Sequence, residues 1–85
     1  MVNVETIKEL VLALLYLTSW EEKEYDKTYH RSWKGYPFSI LDELVDEGLI
    51  SGNHKSKSVY FTEKGVEKAM EIIEKYNFSG DDLDE

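Results

Sequence analysis

Pro37-Phe-Ser-Ile-Leu-Asp-Glu-Leu-Val-Asp-Glu-Gly-Leu-Ile50, continued by Ser51-Gly-Asn-His-Lys-Ser-Lys-Ser-Val-Tyr-Phe-Thr-Glu-Lys-Gly65, is the stretch whose reading decides the fold. Phe38, Leu41, Leu44 and Val45 recur at helical spacing, with Asp42, Glu43, Asp46 and Glu47 on the opposite side. Pro37 suits the first helical position, and Gly48 can adopt the left-handed conformation that ends the helix. Leu49 and Ile50 then open a strand, Gly52 to Ser56 is turn chemistry, and Val59 to Thr62 is a β-branched and aromatic return strand. Thr62 can cap a helix beginning at Glu63, and Gly65 in its first turn implies close approach of the hairpin backbone.

Working outward, Thr6 to Leu17 reads as a first helix. Val4, Ile7, Val11, Leu14 and Leu15 form one stripe, which Leu10, Ala13 and Leu17 widen past half the circumference. A helix apolar most of the way round is either central to its own domain or buried against a second molecule. The second option predicts a homodimer through this helix and the last one. Between residues 18 and 36, Ser19 with Glu22 fits a capping box for a short second helix. On such a helix Tyr25, Tyr29, Trp33 and Tyr36 fall at spacings of four, four and three, on one face. They either form an aromatic platform for bases or a peptide, or fill the second side of the core, with at least one of Trp20 and Trp33 buried. The last helix, from Glu63 to about Asn77, sets Val66, Ala69, Met70, Ile73 and Tyr76 on one face. Residues 1–78 thus read as a single domain, and 79–85 as a disordered acidic tail.

Composition narrows the function classes. Eighty-five residues support one small core and no deep cleft between domains. The absence of cysteine removes disulfides and thiolate chemistry, and fits a reducing cytoplasm. The net charge of -8 is uneven: residues 26–36 and 49–62 are each +2, whereas 37–48 is -4. Such a field repels phosphate backbones unless the two basic islands meet in space. The apolar run Leu10 to Leu17 is too short to span a bilayer, so no membrane association is expected. No phosphate loop, zinc-protease motif or nucleophile triad is present, and His30 and His54 lie in different elements. The expectation is a non-enzyme with no catalytic residues, no metal and no cofactor.

The order of helix, Gly48-Leu49-Ile50 turn, hairpin and Thr62-Glu63-Lys64-Gly65 helix start resembles a winged helix-turn-helix domain. More closely, Ala13 to Thr18, Trp33-Lys34-Gly35, the Leu41 to Ile50 block and Lys55 to Val59 are similar to a family of small uncharacterised bacterial proteins, a domain of unknown function. The chain departs from that family's pattern around Glu21 to His30, where it carries extra residues. The expected fold is therefore mainly α with a small β-hairpin: three to four helices plus a two-stranded antiparallel wing. The winged-helix resemblance implies DNA contact through the helix at 37–47 and the loop at 53–57. The outer face of that helix, with Asp42, Glu43, Asp46 and Glu47, opposes this. The expected function is a non-enzymatic interaction module meeting another protein through the acidic helix or the aromatic segment. The alternative is a DNA-binding regulator whose basic patch is Arg31, Lys34, Lys55 and Lys57. His54 joins the candidate partner contacts.

Overall fold

Alternation, not helical spacing, organises residues 20–33. In the computed structural model, which describes residues 3–52 and 55–76, this segment is a β-hairpin. Helix α1 (Val4–Leu17) leads into strands β1 (Trp20–Glu24) and β2 (Lys27–Trp33). Helix α2 (Phe38–Asp46), strands β3 (Ile50–Ser51) and β4 (Ser58–Phe61), and helix α3 (Glu63–Tyr76) follow. The strands form one antiparallel sheet in the order β1-β2-β4-β3. The architecture is therefore three helices on a four-stranded sheet. The expectation of a mainly α winged-helix-like domain with a two-stranded wing is overturned: the hairpin β1–β2 stands where a second helix was expected, and β2 pairs with β4 to extend the sheet. Ser19 does not cap a helix; its hydroxyl donates to the Tyr16 carbonyl at 2.6 Å.

Strand register assigns each residue to a face. Ser32 pairs with Val59 and Ile50 with Phe61, and all four are buried. Leu12 and Leu15 of α1, Leu44 of α2 and Ala69 and Ile72 of α3 close over this side. Tyr16 bridges the two layers, its ring 5.6 Å from Phe61 and 5.1 Å from His30. Burial of these side chains is the main favourable contribution to folding.

The order helix, strand, strand, helix expected over residues 37–65 is present, with shifted boundaries. Pro37 sits one position earlier than expected, as the N-cap of α2. Gly48, at φ 77°, ends the helix: its N–H donates to the Val45 carbonyl at 2.9 Å, and that of Leu49 to the Leu44 carbonyl at 3.0 Å. This pair of bonds satisfies carbonyls that a helix end otherwise leaves open. The Thr62 hydroxyl accepts from the Gly65 N–H at 2.9 Å and donates to the Gly48 carbonyl at 2.7 Å. It ties α3 to the turn that starts β3. A Cβ on Gly65 would lie 1.8 Å from the Leu49 carbonyl oxygen, so the close approach read from the sequence is real.

Helix faces depart from the expected stripes. In α2 Ile40, Leu41 and Leu44 are buried while Phe38 and Val45 reach solvent. In α3 the buried residues are Gly65, Ala69 and Ile72, and Met70 is exposed. In α1, capped by Asn3, the inward face is Lys8, Val11, Leu12, Ala13 and Leu15; Val4, Ile7, Leu14 and Leu17 are exposed. Lys8, 6 % exposed as a residue, turns inward, and its ammonium meets Glu5 at 3.2 Å, Glu43 at 3.3 Å and Glu47. These acids raise its pKa, with the Glu47 hydrogen bond the largest cause and burial opposing it. Glu9 likewise accepts from Lys75 at 3.1 Å and from the Tyr76 hydroxyl at 3.0 Å, joining α1 to α3.

Candidate functional site

All three helices cover one side of the sheet, and the other side carries an aromatic cluster. A half-solvated antiparallel sheet normally turns polar side chains outward. Here the register places Trp20 opposite Arg31, Glu22 opposite Tyr29, Arg31 opposite Tyr60 and Trp33 opposite Ser58, all on the open face. Trp20 and Trp33 pack with ring centroids 5.0 Å apart, and Tyr29 meets Tyr60 edge-on at 5.8 Å. Neither tryptophan is buried, contrary to expectation; Trp33 is 63 % exposed and Trp20 half-buried. The helices occupy the face of Val59 and Phe61, so nothing among the described residues spans the tryptophan pair.

Arg31 organises the centre. Its Nε donates to Ser58 Oγ at 2.7 Å, its Nη1 to Glu22 Oε1 at 2.6 Å, and its guanidinium carbon lies 4.7 Å from the centre of the Tyr60 ring. The two strands flanking β2 thus fix one planar cation, and the Glu22 hydrogen bond raises its pKa. Toward Thr62, a cleft of about 390 Å³ is lined by Glu24, Tyr29, Ser51, Tyr60, Phe61 and Thr62. Rigid rings flanking a pre-positioned guanidinium supply large contact area with little side-chain entropy to lose.

Of the residues proposed as an aromatic platform, the structure brings together Tyr29 and Trp33 and separates the other two. Tyr25 occupies the β1–β2 turn at φ 57° and is fully exposed. Tyr36 follows β2 and packs against the core from its margin. Trp20 and Tyr60 complete the cluster and were missed: Trp20 opened an expected helix, and Tyr60 was read only as strand. Of the proposed cationic contacts, Arg31 lies within the cluster. The Lys34 N–H donates to the Lys57 carbonyl at 3.0 Å, so the two basic islands meet at the end of β2 and β4. Lys34 also sits over the Phe38 ring at 5.8 Å, in a cleft shared with Asp42 and Asp46 that offsets its charge. Lys55 is exposed. His54 and the tail 79–85 lie outside the described residues.

Among the described residues no group of three or more histidine, cysteine, aspartate or glutamate side chains is placed to hold a metal ion. None of the described helices is long and apolar enough to cross a membrane.

The fold and its open face define a small three-helix, four-strand domain with one sheet side packed and one presented. The chain belongs to the DUF6429 family, a domain of unknown function, whose model matches residues 3–79. Neither the curated proteins nor the solved structures contain a match to it.

Proposed function

We propose that this protein is a non-enzymatic interaction module that binds a protein partner on its open sheet face. The observation that carries the reading is the cluster of Trp20, Trp33, Tyr29 and Tyr60 around a fixed Arg31, on a side where solvated sheets carry polar residues. Trp, Tyr and Arg are the side chains on which binding energy concentrates in protein interfaces. Glu22 and Glu24 share this face, and the chain carries a net charge of -8. Within the face itself Glu22 is held by Arg31 and Glu24 lies opposite Lys27, so its charges balance, and the complementary partner surface is apolar at its centre with polar groups at its rim.

The alternative, nucleic-acid binding through Arg31, Lys34, Lys55 and Lys57, draws support from the meeting of Lys34 with Lys57. Against it stand the engagement of Arg31 by Glu22 and the acidic residues of α2 beside Lys34. Affinity capture with the wild-type chain and with a Trp33→Ser/Tyr60→Ser variant, run side by side, separates the readings. Proteins retained by the first and lost by the second, then purified and titrated against tryptophan fluorescence, are the expected result. Equal retention by both chains, or fluorescence that responds only to mixed-sequence oligonucleotides at low salt, rejects it.

A further inference from the structure

Helix α1 is apolar on its inward and outward sides alike, and its charges lie toward the packed side. Its three charged residues, Glu5, Lys8 and Glu9, lie within about a sixth of a turn of Leu12 at 3.6 residues per turn. They are engaged there: Lys8 with Glu43 and Glu47 of α2, Glu9 with Lys75 and Tyr76 of α3. The opposite side presents Ile7, Leu10, Leu14 and Leu17, extended by Val4, with no charge among them. Leu14 and Leu17 are 46 % and 52 % exposed, in a chain of which 33 % of residues are charged. An uncharged apolar strip along the length of a surface helix marks a contact surface.

We infer that this strip is a two-fold interface with a second copy of the chain, the two α1 helices running antiparallel. Two observations choose that occupant. The strip reads the same from either end, at spacings of three, four and three residues, so a reversed copy aligns Ile7 with Leu17 and Leu10 with Leu14 at once. A two-fold axis pairs residue i of one copy with residue j of the other and j with i, and this spacing gives all four side chains an apolar counterpart in that arrangement. Secondly, two chains of net charge -8 repel, and close approach is cheapest where neither contributes charge. A basic partner would find nothing to recognise here. The helix is only about 21 Å long, so the contact falls short of the ~800 Å² per partner of a standard interface. Association is expected at micromolar concentration or above.

The surface is separate from the open sheet face, and its test is independent of the partner proposed there. Sedimentation of the full chain from 1 µM to 1 mM should show a monomer–dimer equilibrium. Leu14→Glu, and separately Leu17→Glu, should weaken it at least tenfold with helical circular dichroism unchanged, whereas Trp33→Ser should leave it intact. Because the chain has no cysteine, geometry can be read by crosslinking. An Ile7→Cys chain mixed with a Leu17→Cys chain should oxidise to the mixed dimer in preference to either homodimer. A monomer throughout, a dimer insensitive to both glutamates, or preferential crosslinking of Ile7→Cys to itself overturns the inference.

Discussion

The two hairpins of the sheet are built by different means. Hairpin β3–β4 is held from both ends: Gly48 turns the chain out of α2, and the Thr62 hydroxyl bridges that turn to the start of α3. Its side chains Ile50, Val59 and Phe61 are buried beneath all three helices. Hairpin β1–β2 pairs with the rest of the sheet only through Arg31, Ser32 and Trp33 against β4, and its far end projects into a turn with no glycine. Its one fully buried side chain is Ser32, and its large residues face outward. The large side chains of the first hairpin can change with little cost to the fold; Ile50, Val59 and Phe61 of the second cannot. Binding surfaces are drawn from such low-cost regions.

The widest gap between the two should appear when the same substitution is placed beside each. Gly65→Ala forces a Cβ to within 1.8 Å of the Leu49 carbonyl oxygen, a backbone atom that also accepts from the Thr62 N–H. The helix gains about 1 kcal/mol of propensity from alanine, but displacing the Leu49 backbone that leads into β3 costs more. A net loss of about 2 kcal/mol is expected, read as a fall of roughly 10 °C in melting temperature. Gly35→Ala, just after β2, meets nothing within 4 Å and should change stability by no more than about 0.5 kcal/mol. Equal effects at the two positions would erase the distinction between the hairpins.

The same contrast explains what was legible in the sequence. Residues 37–65 were legible because each boundary is marked by a residue with one structural use: Pro37, Gly48, Thr62 and Gly65. The β1–β2 hairpin was not, because Tyr25, Tyr29 and Trp33 recur every four residues, which is about one helical turn and also two strand repeats. Glu21-Glu22-Lys23-Glu24 favours helix by composition, and Tyr25-Asp26 lacks the Asn-Gly or Asp-Gly signal of a tight turn. The existence of α1 was legible and its orientation was not. Lys8 and Glu9 face inward only because Glu47 and Lys75, distant in the chain, await them. Tyr29 and Trp33, two of the four rings of the cluster, therefore stand out in the sequence as one face of a helix, whereas the structure sets them on one face of a strand.

A smaller effect, read by pH, concerns the ion pairs that tie together the helices lying over β3–β4. The hydrogen bond from Lys75, aided by Tyr76 and opposed by burial, holds the Glu9 carboxyl below its ordinary 4.5. A lowered folded-state pKa means that the α1–α3 tie contributes fully above that ordinary value and is lost as pH falls through the folded one. Lys8 has the opposite sign. Its raised pKa keeps the α1–α2 tie complete below 10.5, and the contribution disappears only as pH rises beyond that. Wild-type protein should lose melting temperature between pH 5 and pH 3 by a few degrees more than Glu9→Gln does. Parallel loss in both would show that α1 and α3 are joined by packing alone.

The smallest expected effect sharpens the description of the outer hairpin. Tyr25 sits at φ 57°, a region that costs a non-glycine L-residue roughly 1–2 kcal/mol, and its ring is fully exposed, so no packing offsets that cost. Asparagine tolerates the same conformation better and is favoured in two-residue hairpin turns. Tyr25→Asn should therefore stabilise the chain by about 0.5 kcal/mol, measured by urea denaturation. The tryptophan fluorescence of the open face should stay unchanged, because Trp20 and Trp33 pair at the other end of the hairpin. A loss of stability would mean that the Tyr25 ring makes contacts in solution that hold the turn. A gain would show that the strain at the tip is separable from the surface the hairpin presents.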